Sequence, residues 1–246
     1  MPTIHPTRPE AMPLYYASLC GFHALTEHLI AAHLPDVNSK GGSHRTALHA
    51  ASVKGHLEVA SLLVRNDADP DSRDHLGRVL LHTVSQGGRM AKSSLEIARL
   101  LVNFGANVNV TDDEGWAPPH AAAQSGYREI AELLLGSSAS LDALDKKLQT
   151  PLNRSCSNGK PDMARLLIDR GSDIKSRDEK RFIPLHTASQ FGHVNVARLL
   201  LDCGSDLNAR STKCWTSLHF ASRHGYFDLA RLFGTDVNLT INALSD

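Results

Sequence analysis

Fourteen histidines and four cysteines are the side chains in this 246-residue chain with the most chemistry to offer. Imidazoles could bind a metal or move protons, and a thiolate could act as a nucleophile. Their spacing argues for neither role. His23, His28 and His33 lie five residues apart, about 140° per step on a helix, so their rings do not converge on one face. Cys20, Cys156, Cys203 and Cys214 contain no Cys-x-x-Cys pair and are few for a secreted disulfide scaffold. A free thiol at Cys214 is expected rather than a bridge to Cys203. No phosphate-cradling Gly-rich loop followed by Lys-Ser/Thr, no dinucleotide fingerprint, no Gly-x-Ser-x-Gly elbow and no His-Glu-x-x-His is present. The expectation is no catalytic residue, no metal and no cofactor. An enzyme or small-molecule binder on the same scaffold is the competing reading. Its support is the histidine count, Cys214 and an insertion near Met90.

The histidines make sense once the elements that carry them are laid out. The cores MPLYYA, TALHAA, VLLHTV, APPHAA, TPLNRS, IPLHTA and TSLHFA begin at Met12, Thr46, Val79, Ala117, Thr150, Ile183 and Thr216. The steps between them are 34, 33, 38, 33, 33 and 33 residues. His49, His82, His120, His186 and His219 share one slot in this register. There an imidazole can hydrogen-bond neighbouring backbone. Nine residues after each start stands a glycine: Gly21, Gly55, Gly88, Gly126, Gly159, Gly192 and Gly225. His56 and His193 directly follow two of them. Pro13, Pro118, Pro151 and Pro184 suit a first helical turn, where no amide donor is needed. The glycine closes that short helix. A second helix comes next, as in LEVASLLV, LEIARLLV, REIAELLL and VNVARLLL, with apolar residues at helical spacing. One helix pair cannot bury its stripe alone; stacked neighbours can.

This pattern resembles the ankyrin repeat over residues 12 to about 240. The Thr-x-Leu-His cores, the Gly-His pairs, Ala-Arg-Leu-Leu and Gly-Ala-Asn-Val-Asn carry the resemblance. It implies an all-α repeat solenoid of stacked helix pairs with β-hairpin fingers and a concave face. On this reading residues 1–11 are an N-terminal extension and residues 12–246 one repeat domain. It also implies a non-catalytic protein–protein interaction scaffold that meets its partner through finger tips and the concave helix face. A variant reading makes the chain the recognition portion of a larger multidomain regulator.

The repeats are not equal. The third carries about five extra residues, roughly Arg89 to Ser93, which read as a loop between its helices, with Ser94 able to cap the second helix. The fourth has Pro119 where Leu is expected, and the fifth has Asn153 in the histidine slot and Cys156 in a small-residue slot. These two repeats are expected to form a soft middle. The seventh is shortened after Phe233, and the tail INALSD is too short for another pair.

The positions that vary between repeats are where a partner would be chosen. The slot before each core and the late first-helix slots yield candidate partner-binding residues Arg78, Trp116, Lys147, Lys180, Phe182, Gln190, Phe191, Lys213, Trp215 and Arg223. Aromatic residues and arginine are enriched among interface hot spots. Formal charge is zero, with 26 basic and 26 acidic residues, yet the finger over 109–116 nets −3 while those over 175–182 and 208–215 net +2 each. Such polarity steers a partner and fixes its register. The basic fingers form no continuous stripe, so nucleic acid is not expected as a partner. No run approaches the length of a membrane span. A monomer in the cytoplasm is expected, with the nucleus left open.

Overall fold

The computed structural model describes residues 13–32, 36–41, 45–87 and 91–234. The expected extension over 1–11, His33, Gly88, the shortened end of the seventh repeat and the tail lie outside the described residues. The helices alternate as the register predicts. The first-helix set is α1 (Pro13–Cys20), α3 (Ala47–Lys54), α5 (Leu80–Ser85), α7 (Pro118–Ser125), α9 (Pro151–Ser157), α11 (Pro184–Phe191) and α13 (Ser217–Arg223). The second set is α2 (His23–Ala31), α4 (Leu57–Arg65), α6 (Ala91–Asn103), α8 (Arg128–Gly136), α10 (Pro161–Asp169) and α12 (Val194–Asp202), with a further helical run over 227–234. Each helix packs on the next of its own set and on its partner within the repeat. The result is a two-layer row in which contacts run between neighbours.

The core derives from the slots. Leu48, Leu81, Leu152 and Leu185 occupy one position in four repeats and are buried, and Pro119 is buried in the same place. Pairs and triplets such as Val59-Ala60-Leu63, Ile97-Ala98-Leu101, Ile130-Ala131-Leu134 and Val196-Ala197-Leu200 turn one stripe of each second helix inward. Their alanines let the two layers approach closely. Cys156 belongs to this core, and burial pushes its thiol up to about 12, which keeps it protonated and inert.

At His82, His120 and His186 the shared imidazole tethers one repeat to the next, whereas the buried Nε2 of His49 has no partner. Nδ1 of His82, His120, His186 and His219 accepts from the backbone N–H at the start of its own core, at 3.1–3.2 Å. That leaves Nε2 to donate. His82 reaches the Trp116 carbonyl at 2.7 Å, His120 that of Gln149 at 3.0 Å and His186 that of Trp215 at 3.1 Å. Asn153 reproduces only the first half of this arrangement. Its Oδ1 accepts from the Thr150 N–H at 3.0 Å, but its buried Nδ2 has no partner. The shorter amide does not reach the neighbouring finger. Asn153→His is therefore expected to add one inter-repeat bond and about 1 kcal/mol of stability. A urea midpoint that stays put or falls would remove this account.

Two expectations for the third repeat are corrected. The inserted residues do not all form a loop. α6 has 13 residues against nine in α4, α8, α10 and α12, so Ala91 to Ser94 extend it by about one turn. Ser94 stands inside that helix and not at its cap. The left-handed glycine described after α5 is Gly87, at φ 60°; Gly88, which the register names, lies outside the described residues. Pro161, by contrast, begins α10 as expected.

The fingers are tight hairpin turns. Among the described residues the ladder is limited to one isolated bridge, between Lys40 and Thr46. Elsewhere two backbone bonds close each finger. The N–H of Asp74, Asp112, Asp145, Asp178 and Ser211 donates to the carbonyl of Arg78, Trp116, Gln149, Phe182 and Trp215, respectively, at 2.9–3.1 Å. The carbonyl of the same residue accepts from the N–H three residues on at 2.8–3.1 Å.

Candidate interaction surface

Four aspartates build the fingers from within. One Oδ1 of Asp74, Asp112, Asp145 and Asp178 accepts two backbone N–H groups, two and four residues on, at 2.8–3.1 Å. Ser211 Oγ takes the second of these bonds in the last finger, from the Trp215 N–H. These side chains counted as finger charge in the sequence, but their first task is to shape the turn. Asp74 shows the balance of forces. Burial pushes its pKa up, and hydrogen bonds from Leu76 and Arg78 more than offset this, so the net shift is downward. Arg78 and Arg45 both pair with its second oxygen.

Neighbouring fingers are joined edge to edge. The Asp113 N–H donates to the Leu76 carbonyl, Lys146 to Glu114, Glu179 to Lys147 and Thr212 to Lys180, at 3.0–3.1 Å. The five fingers from 74 to 215 thus form one bonded row. At the tip, one position is left-handed in every finger: Gly77, Gly115, Leu148, Arg181 and Cys214. The last three carry side chains where glycine would be unstrained, at about 1 kcal/mol each. Leu148, Arg181 and Cys214 are all exposed.

Between the finger row and the first helices lie three consecutive clefts. The first, of about 340 Å³, is bordered by Arg78, Gln86, Asp112, Trp116, Gln124, Lys147 and Arg154. The second, of about 330 Å³, is bordered by Lys147, Asn158, Glu179, Lys180, Phe182, Gln190 and Phe191. The third, of about 350 Å³, is bordered by Lys180, Phe182, Gln190, Lys213, Trp215, Phe220, Arg223 and His224. All ten residues singled out from the sequence fall on this one side of the molecule.

The three aromatics have a structural duty as well. Trp116, Phe182 and Trp215 are half-buried, and each ring covers the histidine four residues on, with centroids 6.2, 5.6 and 6.3 Å apart. Phe182 also meets Phe220 edge-on at 4.9 Å. They form the floor of the clefts, and replacing them together would loosen the histidine tethers beneath. The charged rim can be altered at far less cost to the fold.

Arg154 was not singled out from the sequence. It occupies a first-helix slot that holds Ala50, Ala121 and Thr187 in other repeats. Its guanidinium lies 4.1 Å over the Trp116 ring and pairs with the buried Asp145 carboxylate. An arginine in a small-residue slot was the available signal. Phe220 was missed as well, because its role depends on the Phe182 and Trp215 rings that the fingers bring against it.

Among the described residues no group of three or more His, Cys, Asp or Glu is placed to hold a metal ion. No described helix is long and apolar enough to cross a membrane.

The helix pairs, glycine turns and bonded fingers agree with a sequence comparison. A family model for ankyrin repeats in three copies matches residues 4–74, 63–145, 81–178, 139–211 and 175–242. The chain belongs to the ankyrin-repeat family. The ankyrin repeat domain of human ASB11 superposes with a TM-score of 0.74 at 28% identity, covering 85% of this chain and 91% of that one. The ankyrin repeat domain of Bcl-3 gives 0.77 at 24% identity, covering 91% and 100%, and shows the shared fold. Human protein phosphatase 1 regulatory subunit 27 is 39% identical over 72 residues, 29% of this ankyrin-repeat chain and 44% of that protein. The probable 26S proteasome regulatory subunit p28 of Saccharomyces cerevisiae is 32% identical over 94 residues, 38% and 39% respectively. The chain spans less than half the length of these two curated relatives.

Proposed function

We propose that this ankyrin-repeat chain is a non-catalytic recognition module that binds a protein partner along the three clefts between its finger row and first helices. One observation carries the reading. The slots that repeat are consumed by the fold, in leucine burial, histidine tethers and glycine turns. The side chains that differ from repeat to repeat collect on the cleft side, with aromatic floors and charged rims. Floors of this kind supply contact area, and rims supply orientation. Relatives named as regulatory subunits of a phosphatase and of the proteasome support a role in binding other proteins. A monomer acting in the cytoplasm fits this reading.

The experiment is amide hydrogen exchange on the chain with and without a partner captured on it. Protection is expected along the finger tips and the ends of the first helices. Protection confined to the second-helix layer would reject the reading.

A further inference from the structure

The clefts differ in charge in a way that specifies the ligands they can hold. In the first, both arginines are already matched, Arg78 with Asp74 and Arg154 with Asp145, and Asp112, Asp113 and Glu114 border it beside Lys147. The third is bordered by Lys180, Lys213 and Arg223, and no carboxylate borders it. Among the described residues none of these three cations appears in an ion pair. Arg223 lies 5.1 Å over the Trp215 ring, which holds its position while leaving its edge N–H groups for a ligand. Beneath them Phe182, Trp215 and Phe220 form a joined aromatic floor, with centroids 4.9 and 5.2 Å apart.

A second observation concerns register. Lys147, Lys180 and Lys213 stand 33 residues apart, at the same place in the last three fingers. The inter-finger bonds run through two of them: the Lys147 carbonyl accepts from Glu179 and the Lys180 carbonyl from Thr212. The three ammonium groups are therefore carried on fingers fixed side by side, one repeat apart. Neighbouring helices pack at roughly 8–10 Å, and three residues of polyproline II chain, one full turn, span about 9 Å and return side chains i and i+3 to the same side. The preceding fingers place Glu114 and Leu76 at this position, so the cationic row belongs to the C-terminal side. Two carboxylates lie nearby. Asp178 Oδ1 is committed to the Lys180 and Phe182 amides and its Oδ2 accepts from Gln149. Glu179 is exposed at the middle cleft, which places the strongest anion subsite in the third cleft.

We propose that the last three fingers bind an acidic peptide in polyproline II conformation, with carboxylates three residues apart and one aromatic or leucine side chain seated on the Phe182–Trp215–Phe220 floor. This rests on the reading of the clefts as protein-binding and names the chemistry of the partner.

The test is selection of a random peptide library displayed on phage against the full chain, followed by anisotropy on the most enriched peptide. Enriched sequences should carry Asp or Glu at i and i+3 beside a large apolar residue. Lys180→Glu/Lys213→Glu/Arg223→Glu should weaken that peptide by at least about tenfold, and raised salt should weaken it further. These side chains are on the surface, so an unchanged thermal midpoint will show that the variant folds. Arg65→Glu, on α4 in the other layer, should change nothing. Peptides without acidic bias, or an acidic peptide indifferent to the triple reversal, would overturn the inference and leave the broader protein-binding reading standing. A selection that enriches no peptide would count against both. Displacement of the peptide by oligothymidine that itself binds more tightly would reassign the surface to single-stranded nucleic acid.

Discussion

Gly87→Ala is expected to destabilise the stack by about 3 kcal/mol, far more than the same change at Gly105. Both glycines are left-handed, at φ 60° and 83°, so both substitutions carry backbone strain of about 1 kcal/mol. The surroundings differ. A Cβ at Gly105 would meet nothing within 4 Å, whereas one at Gly87 would lie 1.7 Å from the Tyr127 ring. Tyr127 is the N-cap residue of α8 and its half-buried ring packs against the core, so it must give up that packing or shift the next repeat. Because repeats contact only their neighbours, damage at one junction uncouples the two halves. The urea transition of Gly87→Ala should therefore broaden as well as shift, while that of Gly105→Ala shifts alone. Equal midpoints for the two variants would show that this junction is not close-packed.

The second large effect is loss of stability in mild acid. His49, His82, His120 and His186 are buried, and desolvation holds all four pKa values below the ordinary 6.5, with His49 lowered to about 4. The geometry agrees, since Nδ1 of His82, His120 and His186 accepts from a backbone N–H and must be unprotonated. In the unfolded chain these rings titrate near 6.5. As pH falls below that value the unfolded state binds protons that the folded state refuses, so stability drops. The loss begins near pH 6.5 and continues to about 4, where His49 charges in place. A tenfold loss of proton affinity on folding corresponds to about 1.4 kcal/mol. The His49 share is therefore roughly 3 kcal/mol, with smaller shares from the other three adding to it. Asp74, with its lowered pKa, adds a further loss only at lower pH. The thermal midpoint should fall steeply between pH about 6.5 and about 4. His49→Asn, which installs the residue found at Asn153, should flatten that slope. A midpoint independent of pH across this window would mean that the imidazoles are solvated or already charged.

Much of this molecule was legible in the sequence because a stacked repeat writes its constraints once per turn of the row. The core leucines, the Gly-closed helices and the histidine slot each recur, and in the slot His82, His120 and His186 share one mechanical role. The ten variable residues were found by subtraction, and they line three adjoining clefts. The misses share a cause. The insertion in the third repeat was visible as length, but whether it looped out or lengthened α6 depends on whether the added turn can pack. The close approach of Tyr127 to Gly87 is a contact 40 residues away that spacing does not reveal. Finger aspartates were counted as surface charge, although their oxygens are spent on backbone amides. Arg154 gains its meaning from a tryptophan on the preceding finger.

The central claim is that the clefts, and not the second-helix layer, meet the partner. Hydrogen exchange on a captured complex addresses it directly. The account predicts slowed exchange at 146–149, 179–182 and 212–215, and at the ends of α11 and α13 around Gln190, Phe191 and Arg223. Slowed exchange restricted to α4, α8, α10 and α12, with the fingers unchanged, would contradict it.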